Sequence, residues 1–312
     1  IWDKYKKEIT IVRDNFGQKP LFYGFVNNFF LITSELKTFK KIDNFNNSID
    51  EKSLKLYFKY NYIPEPFTIW KNIKKLSPSR FAKIKIGDLK KYQFPKLYKY
   101  NFISENKTTL KNNYHEIINQ SHDQIKTAIK RTMLSDVPIA TFLSGGIDSS
   151  IVTYFTQNQS IKKINSYTVR FQNKDYDESI NATKIAKFIG TNHENIDVDN
   201  RNIVDFIFKL PNIYDEPFAD SSQLPTLLVS EFASKKNKVV LTGDGADEIF
   251  GGYNRHQLSK KIEFIFNTLP LIIRSIISYF LNYSPLLLAN FFEKILPNKH
   301  KPRLLSEKII KF

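Results

Sequence analysis

The chain has 312 residues, 41% hydrophobic and 14% aromatic, which is enough for one large domain or two ordinary ones and excludes a disordered chain. No cysteine occurs, so a disulfide framework, a cysteine–zinc site and a cysteine nucleophile are excluded within these residues. The net charge of +16 comes from 47 Lys and Arg against 31 Asp and Glu, but the lysines are scattered, so a solvated surface is a better reading than a nucleic-acid or membrane partner.

The chain opens Ile1-Trp2-Asp3, with no secretory signal and no initiator methionine, and reads as a fragment. The lack of cysteine is compatible with a cytoplasmic location, the one expected. Residues 1–45 read as short strands and turns. Residues 8–14, 20–25 and 29–33 are the strands, and Ser34 is placed as a helix cap over Glu35-Leu36-Lys37. Three strands this short cannot close a core, so the expectation is a larger sheet whose other strands lie upstream. A short helix follows over 51–60, then the extended proline-rich crossing Tyr62-Ile63-Pro64-Glu65-Pro66-Phe67. Residues 73–78 and 81–86 alternate apolar and polar side chains as a half-buried strand does, and Gly87-Asp88 reads as a hairpin turn. Residues 93–112 show no clear period, and the domain boundary is placed there.

From Tyr114 the period changes. Tyr114, Ile117, Ile118, Ser121, Ile125, Ala128 and Ile129 fall on one face of a helix ending near Arg131. Strands are predicted at 137–143, 164–171, 193–198 and 238–242. Helices are predicted after residue 148, over 178–189 with Gly190 closing it, over 201–209, and over 222–235 with Pro225 in its first turn. Such alternation predicts an α/β domain, a parallel sheet with helices on both faces. Its ligands sit beyond the carboxyl ends of the strands. Residues 262–296 are strongly apolar but interrupted by Arg274, Asn282, two prolines and Glu293, so buried helices are expected rather than membrane spans.

Two glycine-rich turns carry the chemistry. After the first predicted strand comes Ser144-Gly145-Gly146-Ile147-Asp148-Ser149-Ser150. Adjacent glycines let the backbone turn sharply and bring its N–H groups to a ligand. The serines add hydroxyls, and the following helix points its positive end at the turn, which suits a phosphate chain. Asp148 is an anion and cannot hold phosphate directly; it makes sense with magnesium between carboxylate and phosphate. After the last predicted strand comes Thr242-Gly243-Asp244-Gly245-Ala246-Asp247-Glu248-Ile249-Phe250-Gly251-Gly252-Tyr253. Its three crowded acids repel unless a cation binds them or their pKa values separate.

Residues Ser144 to Ser149 match the pyrophosphate loop of the ATP pyrophosphatase superfamily. With Thr242 to Tyr253 and the run Tyr214-Asp215-Glu216-Pro217-Phe218-Ala219-Asp220-Ser221-Ser222, they resemble the synthetase domain of the glutamine-hydrolysing asparagine synthetase family. Val12-Arg13-Asp14-Asn15-Phe16-Gly17-Gln18-Lys19-Pro20-Leu21 and Thr33-Ser34-Glu35-Leu36-Lys37 are similar to the late part of that family's glutaminase domain. Tyr62-Ile63-Pro64 with Lys75-Leu76-Ser77-Pro78 resembles that domain's end. The resemblance implies an α/β, parallel-sheet pyrophosphate-loop domain over 113–312, incomplete. A linker over 96–112 and the C-terminal part of an α+β N-terminal-nucleophile glutaminase domain over 1–95 precede it.

What the resemblance implies chemically is that ATP and aspartate give β-aspartyl-AMP and pyrophosphate. Ammonia from glutamine then attacks the adenylate, and asparagine and AMP leave. The backbone at Phe142-Leu143 and Val169 would hold adenine. Ser144, Gly145, Gly146, Ser149 and Ser150 would hold pyrophosphate, with Thr242 and Gly243 near the nucleotide. Asp148 and Asp247 would bind magnesium. Asp244 matches an acidic position that helps form the adenylate and receive ammonia. Fixed N–H dipoles and magnesium would offset the charge that builds on pyrophosphate, and water must be kept from the adenylate.

Two departures from the family are plain. Its glutaminase nucleophile is an N-terminal cysteine, which this chain lacks, and no match to its catalytic lysine occurs before Phe312. Aspartate binding is therefore unassigned. The acceptor could be another carboxylate such as a sugar acid, and a nucleotide-binding fragment without activity is a further alternative. A homodimer is an open expectation. Trp2, Asp215 and His193 are read as structural: a core aromatic, a turn acid and a strand-edge histidine.

Overall fold

The computed structural model describes residues 1–45, 48–87, 93–100, 113–173, 177–198, 200–253 and 266–283, with the single positions 256, 259 and 263. The chain divides into two compact units, Ile1–Thr242 and Gly243–Phe312.

Within the first unit, short alternating segments build two antiparallel sheets. The strands are β1 (Trp2–Asp3), β2 (Glu8–Val12), β3 (Phe22–Val26), β4 (Phe29–Thr33), β5 (Ile73–Lys75), β6 (Arg80–Lys85) and β7 (Tyr98–Lys99). One sheet has the order β1-β2-β6-β7 and the other β4-β3-β5. The three predicted strands do not stand alone within these residues. β2 pairs with β6 and β3 with β5, so strands further along the chain supply the missing ladders. Trp2 is corrected: it sits on a two-residue edge strand and is 49% exposed, because β1 has a neighbour on one side only. Of the predicted turn Gly87-Asp88, Gly87 has a φ of +104° and Asp88 lies outside the described residues.

All five β3 residues are buried, since the strand is covered on both faces. Phe22 and Val26 join Leu36, Phe39, Ile63, Ile69 and Ile73 in one core. Tyr23 joins Ile11, Leu76, Ala82 and Ile84 in another, between the two sheets. Gly24 lies where β3 passes β5: a Cβ there would stand 2.3 Å from the Asn72 carbonyl oxygen. Arg13 is a second organiser. Its largely buried guanidinium donates to the carbonyls of Gly17, Lys19 and Leu76 and to Glu65.

The helical turn after β4 is a 3-10 turn, Leu36–Lys41, capped by Glu35 and not by Ser34. No side chain at the cap bonds to it; the Leu36 N–H instead donates to Asp215, 179 residues away, at 2.5 Å. Helix α1 (Glu51–Tyr60) is capped by Asp50, whose carboxylate accepts the Lys52 N–H, and ends at Asn61 in the left-handed region.

The parallel layer follows in the same unit. Its elements are α2 (Tyr114–Thr132), β8 (Ile139–Phe142), α3 (Ile147–Asn158), β9 (Asn165–Arg170), α4 (Ser179–Ile189), β10 (Asn192–Asp197), α5 (Asn200–Ile213), α6 (Gln223–Ser234) and β11 (Val239–Leu241). The sheet order is β10-β9-β8-β11, all parallel. Helices cover both faces. Tyr167, Ala140, Val229 and Ala233 form a core with α6, while Leu143 is buried with Ala182 and Ala186 of α4. Thr153 of α3 donates to Thr141 of β8 in the interior, so each buried hydroxyl has a partner. The chain steps from β8 through β9 to β10 and then returns to place β11 on the other side of β8. The strand order thus reverses beside β8, where open α/β sheets bind ligands.

In the second unit the described elements are α7 (Ala246–Phe250) and α8 (Leu271–Tyr283). The expected helix is present over part of 262–296, but α8 is not buried: Leu271 and Ile272 are 76% and 75% exposed. The apolar run 284–288 lies outside the described residues. No helix of the described residues is long and apolar enough to cross a membrane.

Candidate active site

The loop after β8 is built by its own neighbours. Leu143 extends the ladder, donating its N–H to Tyr167 O at 2.9 Å. Its carbonyl accepts the Thr168 hydroxyl. Leu143 is fully buried with its N–H committed, so Phe142 is the more accessible of that pair. Val169 sits on the neighbouring strand, packed against the Tyr167 core.

At Gly145 the backbone turns with φ +90°, a conformation that side chains other than glycine rarely adopt. Space demands glycine too. A Cβ at 145 would lie 3.0 Å from Ala182 N and 3.3 Å from Glu178 O, at the start of α4. Gly146 then caps α3 without a side chain. The serines lock the turn. Ser149 Oγ accepts the Ser144 N–H at 3.2 Å and lies 3.0 Å from Ser144 Oγ. The Gly146 N–H donates to Ser144 Oγ at 3.3 Å, and Ser150 Oγ donates to Gly146 O at 2.6 Å. Ser149 is buried and serves the loop, while Ser144 and Gly146 are exposed. The result is a fixed, glycine-lined turn at the positive end of a 12-residue helix, a place where anions are favoured. Asp148 lies in the first turn of that helix, half-buried.

Thr242 follows β11 and is exposed. In the second unit, Gly245 (φ +91°) starts α7 and Gly251 (φ +68°) ends it. Asp244 is exposed and Asp247 half-buried. The Asp247 carbonyl accepts the Gly252 N–H at 3.0 Å, and a Cβ at 252 would overlap the Asp247 carboxylate. Glu248, the third acid, accepts the Tyr253 hydroxyl at 2.7 Å.

Among the described residues no three His, Asp or Glu side chains gather into a ready metal cage. Magnesium does not need one: it is usually held by one or two carboxylates together with substrate phosphates. Asp148 at the mouth of the glycine turn fits that donor set. The residues read as structural are placed as such, Trp2 apart. His193 lies on edge strand β10, with Nδ1 2.9 Å from Ser166 Oγ and Nε2 3.2 Å from Asn195 Oδ1. Burial lowers its pKa from 6.5. Asp215 is in a turn, but its reach to Leu36 and the role of neighbouring Glu216 were not visible from local pattern, because their partners lie far away in sequence.

A parallel sheet with a glycine turn at its strand-order reversal, preceded by paired antiparallel sheets, defines an α/β protein with a second domain. The chain belongs to the asparagine synthase family, whose description matches residues 120–311; a glutamine amidotransferase domain matches residues 1–95. The chain is 35% identical over 279 residues to a putative glutamine-hydrolyzing asparagine synthetase 2 of Methanocaldococcus jannaschii, covering 88% of this chain and 52% of that protein. It is 31% identical over 264 residues to glutamine-hydrolyzing asparagine synthetase 1 of Bacillus subtilis, covering 84% and 40%. It is also similar to amidase chry2 of Gibberella zeae, 25% identical over 276 residues, covering 81% and 39%. The chain thus spans about half the length of these curated relatives, or less.

Proposed function

We propose that this chain serves a glutamine-dependent, amide-forming ligase that makes asparagine from aspartate and ATP through β-aspartyl-AMP, releasing pyrophosphate and AMP. The Gly145 turn is the observation that carries the reading. A turn that admits neither a side chain nor another conformation, set at a helix N-terminus, suits the pyrophosphate of ATP.

The roles are those that the resemblance to the family's motifs implies. Phe142, Leu143 and Val169 line the adenine side, and Thr242 and Gly243 lie by the nucleotide. Ser144, Gly145, Gly146, Ser149 and Ser150 hold the departing pyrophosphate with N–H and hydroxyl groups that need no rearrangement as charge develops. Asp148 and Asp247 each offer a carboxylate to magnesium, which, when bound, neutralises charge on the phosphates. Asp244 assists adenylate formation and attack by ammonia. The aspartate carboxylate attacks the α-phosphorus, the α–β bridging oxygen leaves with pyrophosphate, and ammonia then displaces AMP from the acyl carbon.

The test is pyrophosphate release by the full-length parent protein with ATP, magnesium, ammonia and aspartate, against the same mixture with other carboxylates. Release that requires aspartate and yields asparagine supports the reading. Release with a different carboxylate, a sugar acid among them, favours a second reading, a ligase with another acceptor. ATP binding without any adenylate would reduce the role to nucleotide binding.

A further inference from the structure

The segment between α5 and α6, residues 214–222, crosses to the antiparallel domain, and both lie within the first compact unit. It is tied there by five polar contacts, one of them Lys37 Nζ 3.8 Å from Asp215 Oδ1. Asp215 Oδ2 accepts the Leu36 N–H at 2.5 Å. Glu216 Oε1 accepts the Ile69 N–H at 2.7 Å, and its Oε2 stands 2.5 Å from Lys75 Nζ. The Ala219 N–H donates to Asn61 O at 2.7 Å. Beside these ties a solvent-open groove of about 320 Å³ lies between Arg13, Tyr62, Lys75, Tyr214, Asp215 and Phe218.

Glu216 dominates that set. Its side chain is 12% exposed and that of Lys75, which also donates to Ile63 O at 2.7 Å, is 15% exposed, so each is the other's charged partner in a largely buried setting. Burial pushes the Glu216 carboxyl above the usual carboxylate range, against the Lys75 ammonium and the Ile69 N–H, which favour the charged form. The segment itself is stiff. Tyr214 and Phe218 meet edge to face at 4.7 Å, and Gln223 at the head of α6 donates to Phe218 O at 2.6 Å. Helix α6 in turn packs Phe232 on Tyr167, whose carbonyl anchors Leu143 beside the phosphate loop.

We infer that Glu216, paired with Lys75, is a positioning residue: a latch that holds the 214–222 segment on the antiparallel domain and so fixes the orientation of the two domains. Its catalytic meaning rests on the two-reaction reading above, in which ammonia must pass from one domain to the other. Its structural test does not.

The experiment is amide hydrogen exchange on the 312-residue chain, with Leu36 as reporter because its acceptor is Asp215 and not the mutated side chain. Lys75→Met and Glu216→Leu should each speed exchange at Leu36 about tenfold or more, as release of the whole segment requires, while Leu143 keeps its protection. The double variant removes both charges and should restore Leu36, though not Ile69, which has lost its acceptor. If only Ile69 responds, Glu216 is a local bond and the latch is refuted. If the single variants do not fold, a double variant that folds with Leu36 protected supports the latch. A double variant that also fails to fold refutes the pairing. ATP binding plays no part in this readout, so a chain that binds no ATP but shows linked release still supports the latch and counts only against the ligase reading.

Discussion

The glycine loop after β8 and the 214–222 segment both use polar groups in partly buried settings, yet they differ in reach. In the loop, Ser144 and Ser149 are five residues apart. In the segment, Asp215 and Glu216 bond across 179 and 147 residues. The loop is therefore a self-contained device that depends on glycines and serines in immediate order. The segment has no meaning until two domains have folded and met.

The largest way to break the comparison is at the long-range end. Lys75→Met leaves the Glu216 carboxylate buried without its partner, and stability should fall by about 3–5 kcal/mol, read as a lower urea midpoint. Next is Gly145→Ala, which forces a side chain into a left-handed turn and against α4. It should cost about 1–3 kcal/mol locally and weaken ATP binding by more than about tenfold by calorimetry, with the antiparallel domain unchanged by hydrogen exchange. Ser149→Ala should cost about 1 kcal/mol, with a smaller loss of ATP affinity, since the glycine turn survives. A loss equal to that of Gly145→Ala would mean the serine contributes as much as the turn.

The smallest effect is a titration. Burial lowers the His193 pKa below 6.5, so the folded state prefers the neutral ring. The associated stability is complete above 6.5 and is lost as pH falls through the lower folded value. Urea midpoints between pH 7.5 and 5 should decline for the native chain and decline less for His193→Asn. An unchanged slope would assign the pH dependence elsewhere.

The same contrast explains what the sequence discloses. The order of helices and strands from Tyr114 to Leu241 is legible because periodicity is local, as are Gly145 and the Gly190 helix end. The partners of β2 and β3 are not legible, since pairing with β5 and β6 is decided by packing across about 50–75 residues. Ser34 looks like a cap, but a carboxylate from Asp215 satisfies the Leu36 N–H instead. Trp2 looks like core by size, and its position on an edge strand exposes it. In the candidate site, the loop after β8 could be read residue by residue. Glu216 could not, because a Glu-Pro pair in a turn gives no hint of the lysine it meets.

Gly24 has a consequence for folding fidelity. β3 carries large side chains on both faces, so a one-residue slip would merely trade Phe22 and Val26 for Tyr23 and Phe25, and hydrophobicity alone would resist it weakly. Shifting β3 against β5 would drive the Tyr23 or Phe25 ring into the Asn72 carbonyl, where not even a methyl group fits. A missing side chain, rather than a favourable contact, is what forbids the misaligned ladder.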